Sequence, residues 1–166
     1  MTVAEAPMTP SLIRQEGEGE RRWFFGGAVF IMKASAEETG GAFLLWEAVM
    51  ERGKVTPLHT HPDSDETFYL LEGEILVHLD GAEHTVGVGG VMFAARGVPH
   101  AFKVLSPSAR MLTLATPGCC EQFYLDASVP LAPGESAGEV DFAKVHASAA
   151  KNSGIEILGP PPFPMP

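Results

Sequence analysis

Cysteine is nearly missing from this chain of 166 residues, and the only two, Cys119 and Cys120, are adjacent. A bridge between neighbours is strained, so both are expected as free thiols in a reducing compartment. Positive charge is also scarce: 11 Lys and Arg stand against 21 Asp and Glu, for a formal net charge of −10. So acidic a surface repels phosphate backbones, which argues against nucleic acid as a partner. No apolar run approaches the ~20 residues of a membrane span, so no membrane partner is expected. Met1 to Leu12 carries neither the basic start nor the apolar core of a signal peptide. Internal repeats are lacking too. The expectation is a soluble, cytoplasmic protein.

What the chain does have is turn-formers and apolar residues. Glycine numbers 18 and proline 14, while hydrophobic residues make up 45%. The length suits one domain with a real core, and the turn content favours many short strands over a few long helices. Residues 1–22 are polar and end in the charged run Glu16–Arg22, read as a mobile arm or an edge-strand lead-in. From Trp23 onward short apolar stretches alternate with glycine turns, at 23–33, 42–50, 66–71, 75–79, 83–86, 91–95, 100–105 and 111–116. That spacing predicts an antiparallel sandwich or barrel. Asp80-Gly81 predicts a two-residue hairpin that sets His78 across from Glu83 and Val77 across from His84. A single helix is expected late, capped by Ser136 and Glu139, carrying Val140, Phe142 and Val145, and closed by Gly154. Ile155–Leu158 reads as a short docking segment, and the proline-rich end as extended polyproline.

The stretch from Gly53 to Gly73 carries the chemistry. His59 and His61 are two apart, so on a strand both imidazoles face one side. The polar turn Pro62–Asp65 lets the next strand return, and Glu66 begins it. His100, after Gly97-Val-Pro, starts a further strand. Three imidazoles and a carboxylate suit one divalent first-row transition metal ion: Fe, Mn, Co, Ni, Cu or Zn. Four protein ligands on an octahedral ion leave two positions open, which marks a catalytic site. The absence of cysteine ligands argues against structural zinc.

These residues resemble the first cupin motif at each of its defined positions: Gly53, His59, His61, Glu66 and Gly73. The second motif is matched in part by Gly89, Gly97 and His100, with Ala95 where proline is usual and Val104 where asparagine is common. Trp23–Gly27 before this region and Ile155–Pro162 after it are similar to single-domain cupins of the quercetin 2,3-dioxygenase-like type. The resemblance implies an all-β fold: an antiparallel, jelly-roll cupin β-barrel with a short C-terminal helix and an extended proline-rich tail. The parts would be an arm at 1–22, the barrel at 23–126, and a helix and tail packed on it at 127–166. It further implies metal ligation by His59, His61, Glu66 and His100, and cleavage of a flavonol or related enolisable aromatic with dioxygen. Glu66 would then serve as both ligand and general base, and the chain, like many cupins, would pair into a homodimer. A non-oxidative isomerase, cyclase or lyase, or a binding protein without turnover, would share the same motif.

By strand parity Phe68 and Leu70 share the face of Glu66, and Phe102 shares that of His100, as barrel core or as substrate contacts. His84 could face the interior, whereas His78 and His146 read as surface residues. Cys119-Cys120 has no adjacent basic group to activate a thiol. Trp23 and Trp46 read as packing residues.

Overall fold

A computed structural model describes residues 11–164. In chain order it forms β1 (Arg21–Phe24), β2 (Ala28–Ala34), β3 (Leu44–Glu51), β4 (Leu58–Thr60), β5 (Asp65–Glu72) and β6 (Glu74–Leu79). There follow β7 (Ala82–Gly87), β8 (Val91–Ala94), β9 (His100–Val104), β10 (Ser108–Thr116), α1 (Glu121–Asp126), β11 (Ser128–Pro130), α2 (Phe142–Lys151) and β12 (Glu156–Gly159). The strands assemble into two antiparallel sheets, ordered β11-β1-β2-β3-β10-β5-β8 and β12-β4-β9-β6-β7. This is the jelly-roll arrangement the resemblance implies, built as two facing sheets.

Alternation decides which side chains fill the space between them. Along β10 Ala109, Met111, Thr113 and Ala115 are buried while the residues between them are half-buried, and β5 alternates likewise, with Glu66, Phe68 and Leu70 buried and Thr67 half-buried and Tyr69 exposed between them. Leu44, Leu70, Ile75, Val77 and Val104 are the large apolar side chains packed deepest. The β6–β7 hairpin has the expected register, with His78 opposite Glu83 and Val77 opposite His84. Asp80 and Gly81 both take positive φ, 49° and 82°, as a two-residue turn matched to strand twist requires. His84 lies on an exposed strand and faces solvent, not the interior.

Three local expectations need correction. The stretch 23–33 is two strands, split by a turn at Phe25–Gly27 where Gly27 takes φ 94°. The late helix starts six residues beyond Ser136: its cap is Asp141, whose side chain accepts a hydrogen bond from the Lys144 amide. Ser136–Glu139 is instead a connecting segment, and the Glu139 carbonyl accepts the Trp23 indole N–H at 3.1 Å. Gly154 closes no helix, since α2 ends at Lys151 and its C-cap, Asn152, is extended. A second helix, α1, was not expected; at six residues, without a side-chain cap, it is too short to show a period.

The segment after β10 does more than rest on the sheets. Strand β11 pairs with β1, and β12 pairs with β4, so each sheet takes an edge strand from the last forty residues of the chain.

Gly73 joins β5 to β6 at φ 84°, and a Cβ there would lie 2.2 Å from the Ser108 carbonyl oxygen. Gly81 has nearly the same φ, 82°, but open space around it. Gly73→Ala is expected to cost roughly 2–4 kcal/mol, from backbone strain and overlap together. Gly81→Ala carries the strain alone and should cost less. Urea midpoints at unchanged m-value measure the difference.

Candidate metal centre

The centre lies where the two sheets approach each other. His59 on β4 and His100 on β9 are direct cross-strand partners, with ring centroids 4.4 Å apart. His61 follows β4 immediately, and Glu66 lies on β5 in the opposite sheet. Two loop contacts set their spacing. The Gly97 amide donates to the His61 carbonyl at 2.8 Å. Arg96 reaches Asp65, beside Glu66, with its amide at 2.9 Å and its guanidinium at 3.0 Å.

Each of the four side chains offers a ligand atom, and these atoms all lie within 4.8 Å of one another. None of the four residues is more than 6% exposed. Among the described residues no other group of three or more such side chains converges in this way.

The hydrogen bonds determine how the imidazoles are protonated. His59 Nδ1 faces the Pro57 carbonyl at 2.8 Å, His100 Nδ1 the Val98 carbonyl at 2.9 Å, and His61 Nδ1 the Gly154 carbonyl at 3.1 Å. A carbonyl oxygen only accepts, so each Nδ1 carries the proton and each neutral ring keeps its lone pair on Nε2. Carbonyl support of this kind is what a metal-ligating histidine uses to hold its orientation.

Three Nε2 atoms then meet a carboxylate. His100 Nε2 lies 2.9 Å from Glu66 Oε2, and His61 Nε2 lies 3.3 Å from the same oxygen. The His61 contact is not aligned as a hydrogen bond, and this buried nitrogen has no other partner. Acceptors crowded this closely repel unless a proton or a metal cation sits among them. The donor set and the orphaned His61 nitrogen therefore fit a single metal ion.

A proton between His100 and Glu66 relieves part of that repulsion. Burial, helped by His100 and His61, pushes His59 down to about 3, which leaves its ring neutral. Burial would raise Glu66, but the nearness of His61 and the hydrogen bond from His100 outweigh it and keep the group ionised. For His100 burial is again opposed, and here the Glu66 contact wins and raises it.

One side chain at the centre escaped the sequence reading. Tyr124, on α1, donates its hydroxyl proton to Glu66 Oε1 at 3.3 Å. Burial, reinforced by the Glu66 charge, pushes the phenol well above its usual range, so it stays a donor. Its sequence context held no signal beyond an apolar pair, Phe123-Tyr124, in a helix too short to recognise.

His59 and Glu66 open onto a cavity of about 630 Å³, counting the solvent at its mouth. Its walls are mostly apolar: Phe68 and Phe102 line it, with Phe24, Trp46, Phe123 and Ile155. Trp46 is thus a wall of the chamber as well as a packing residue. Leu70 is buried in the core and does not line the cavity. His78, His84 and His146 lie outside the cluster, and both cysteines are free, Cys119 exposed and Cys120 buried.

The chain is similar to several known proteins. The cupin domain model matches residues 46–115. A quercetin 2,3-dioxygenase of Bacillus subtilis is 30% identical over 115 residues, which is 69% of this chain and 34% of that protein. An uncharacterized protein of Methanocaldococcus jannaschii is 38% identical over 56 residues, 34% of this chain and 45% of its own length. The chain thus spans less than half the length of either curated relative. Among solved structures, a predicted oxalate decarboxylase of Thermotoga maritima is similar at TM-score 0.57 and 22% identity, covering 64% of this chain and 99% of that one. An RmlC-like cupin of Shewanella frigidimarina gives TM-score 0.54 and 19% identity, over 66% and 95%. At such identities the likeness is one of fold.

Elemental analysis of the purified protein is expected to find about one transition-metal ion per chain. His100→Ala should lose most of it, because removing one of four ligands also leaves Glu66 buried without its closest partner. Full metal content in that variant would show that the ion sits elsewhere.

Proposed function

Because the chain carries a cupin domain over residues 46–115, we propose that it is a cytoplasmic, metal-dependent dioxygenase of a small enolisable aromatic, a flavonol or a close analogue. His59, His61, Glu66 and His100 would hold one divalent transition metal ion. The observation that carries the reading is the convergence of three imidazole lone pairs and one carboxylate at the wall of an apolar cavity. The likeness to a quercetin 2,3-dioxygenase supports the choice of substrate and of dioxygen as co-substrate. An ion held there would supply Lewis acidity and redox chemistry with dioxygen.

The residues of the chain divide the remaining work. Phe68 and Phe102 stand edge to face, with ring centroids 5.5 Å apart, and offer a planar ring apolar surfaces on two sides. Phe142 and Val145 of α2, together with Ile155, close the cavity from the C-terminal side and keep water from the reacting groups. Glu66 accepts the proton of the substrate's enolic hydroxyl. The atom placed to take it is Oε1, which keeps a second lone pair beside the one accepting from Tyr124, whereas Oε2 lies against His100 and His61. Tyr124 holds the carboxylate in one orientation during that transfer. Both oxygen atoms of dioxygen end in the cleaved product, so no external reductant is consumed.

The test is an oxygen electrode run with quercetin and protein loaded in turn with Fe, Mn, Co, Ni and Cu. One dioxygen consumed per flavonol lost is expected with at least one of them. Glu66→Gln with its metal retained should lower kcat by roughly 10²–10⁴-fold, the usual worth of a positioned general base. Quercetin that binds without dioxygen uptake under every metal would overturn the oxygenase in favour of Lewis-acid chemistry on the same site.

A further inference from the structure

Lys54 stands between the motif glycine and the first histidine, and its side chain enters the same cavity. The residue as a whole is half-buried, but its ammonium is inside, 5.4 Å from the Phe24 ring centroid and 5.8 Å from that of Phe102. Nζ donates to the Gly26 carbonyl at 2.6 Å and to the Val55 carbonyl at 3.2 Å. An ammonium has three protons, so one remains unassigned. Among the described residues no carboxylate pairs with it, and burial with no opposing charge pushes it down to about 7. A cation placed this way is electrostatically unsatisfied, and an anion brought beside it would restore its charge.

A second polar group lines the same cavity. Thr113 is 1% exposed, lines the cavity, and its hydroxyl has no hydrogen-bond partner. The β5–β10 register sets Thr113 opposite Phe68, one inward step along the sheet from the Glu66–Ala115 pair. The chamber is therefore apolar except for the metal centre with Tyr124, Thr56 whose hydroxyl oxygen accepts from the Phe102 amide, a free ammonium proton and the free Thr113 hydroxyl. Unpaired polar groups in an apolar pocket are what fixes a ligand's orientation.

We infer that Lys54 is the specificity-determining residue of this cavity, pairing with an anionic oxygen, carboxylate or phenolate, on a planar aromatic substrate. The inference rests on the cavity being the substrate site of the proposed reaction. The rings of Phe24 and Phe102 hold the ammonium in place by cation–π attraction, so the pairing costs little further ordering. Thr113 then supplies a hydrogen bond to another oxygen of the same molecule.

The test uses metal-loaded protein and two probes of nearly the same shape, 2-naphthoate and its neutral amide 2-naphthamide, followed by calorimetry and by quenching of Trp46 fluorescence. Wild-type protein is expected to bind naphthoate at least tenfold more tightly than naphthamide. Lys54→Met should weaken naphthoate roughly 10–100-fold, the range for a hydrogen bond to a charged group, with naphthamide affinity and metal content unchanged. Lys54→Arg should keep the preference for the anion. Unchanged naphthoate affinity in Lys54→Met, equal loss of both probes, or no binding of naphthoate to wild type would each overturn the inference. Dioxygen uptake is read separately. Protein that pairs naphthoate with Lys54 but consumes no dioxygen keeps this inference and loses the oxygenase. Quercetin turnover with naphthoate indifferent to Lys54 does the reverse.

Discussion

Four electron-rich groups pointed at one small volume cannot rest there unaided, and most of what surrounds them is arranged to hold them in place. Three Nε2 atoms and Glu66 share the interior of a protein whose apolar packing offers no solvation. Each ring is fixed from behind by a backbone carbonyl, each approach loop is tied by an amide or a guanidinium, and Tyr124 restrains the carboxylate's second oxygen. The fold stores a repulsion that a cation relieves. In this way a buried polar cluster, costly in an ordinary core, becomes a preorganised site.

The same economy shapes the chamber beyond the cluster. The inner faces of both sheets contribute almost only apolar side chains to it, so each polar group that does project inward is conspicuous. Lys54 and Thr113 are two such groups, and neither is consumed by a partner in the fold. Selectivity in such a cavity comes from few groups, because the apolar remainder accepts any flat molecule of the right size.

How much of this could be read from sequence depended on how far apart the contributing residues lie. The His59–His61 spacing, the return of Glu66 after a short turn and the β6–β7 register follow from strand parity over a handful of residues, and the structure has them as expected. Phe68 and Phe102 reached the cavity by the same parity; Leu70, on the same face, lies one step too far along β5. Tyr124 and the Gly154 carbonyl are different in kind. They come from segments 58 and 93 residues away from the groups they touch, and no local period encodes such a meeting. The helix boundary failed for a related reason: Ser136 has the spacing of a capping box, but its segment is held by a tertiary contact, Trp23 donating to the Glu139 carbonyl, and α2 begins after Asp141. Lys54 stood in plain view inside the motif, but only the burial of its ammonium distinguishes it from an ordinary surface lysine.

The carbonyl of Gly154 behind His61 and the pairing of β12 with β4 have a consequence for the order in which the protein is made. A ribosome releases the ligand-bearing strands first, and at that stage β4 has β9 beside it but nothing on its other edge. His61 has no carbonyl to hold its ring, and the chamber lacks the wall formed by Ile155 and Ile157. Only when residues 154–159 have emerged can both be supplied. A nascent chain therefore carries all four side chains of the cluster before they are held in place, and their final orientation waits for a segment more than fifty residues beyond His100.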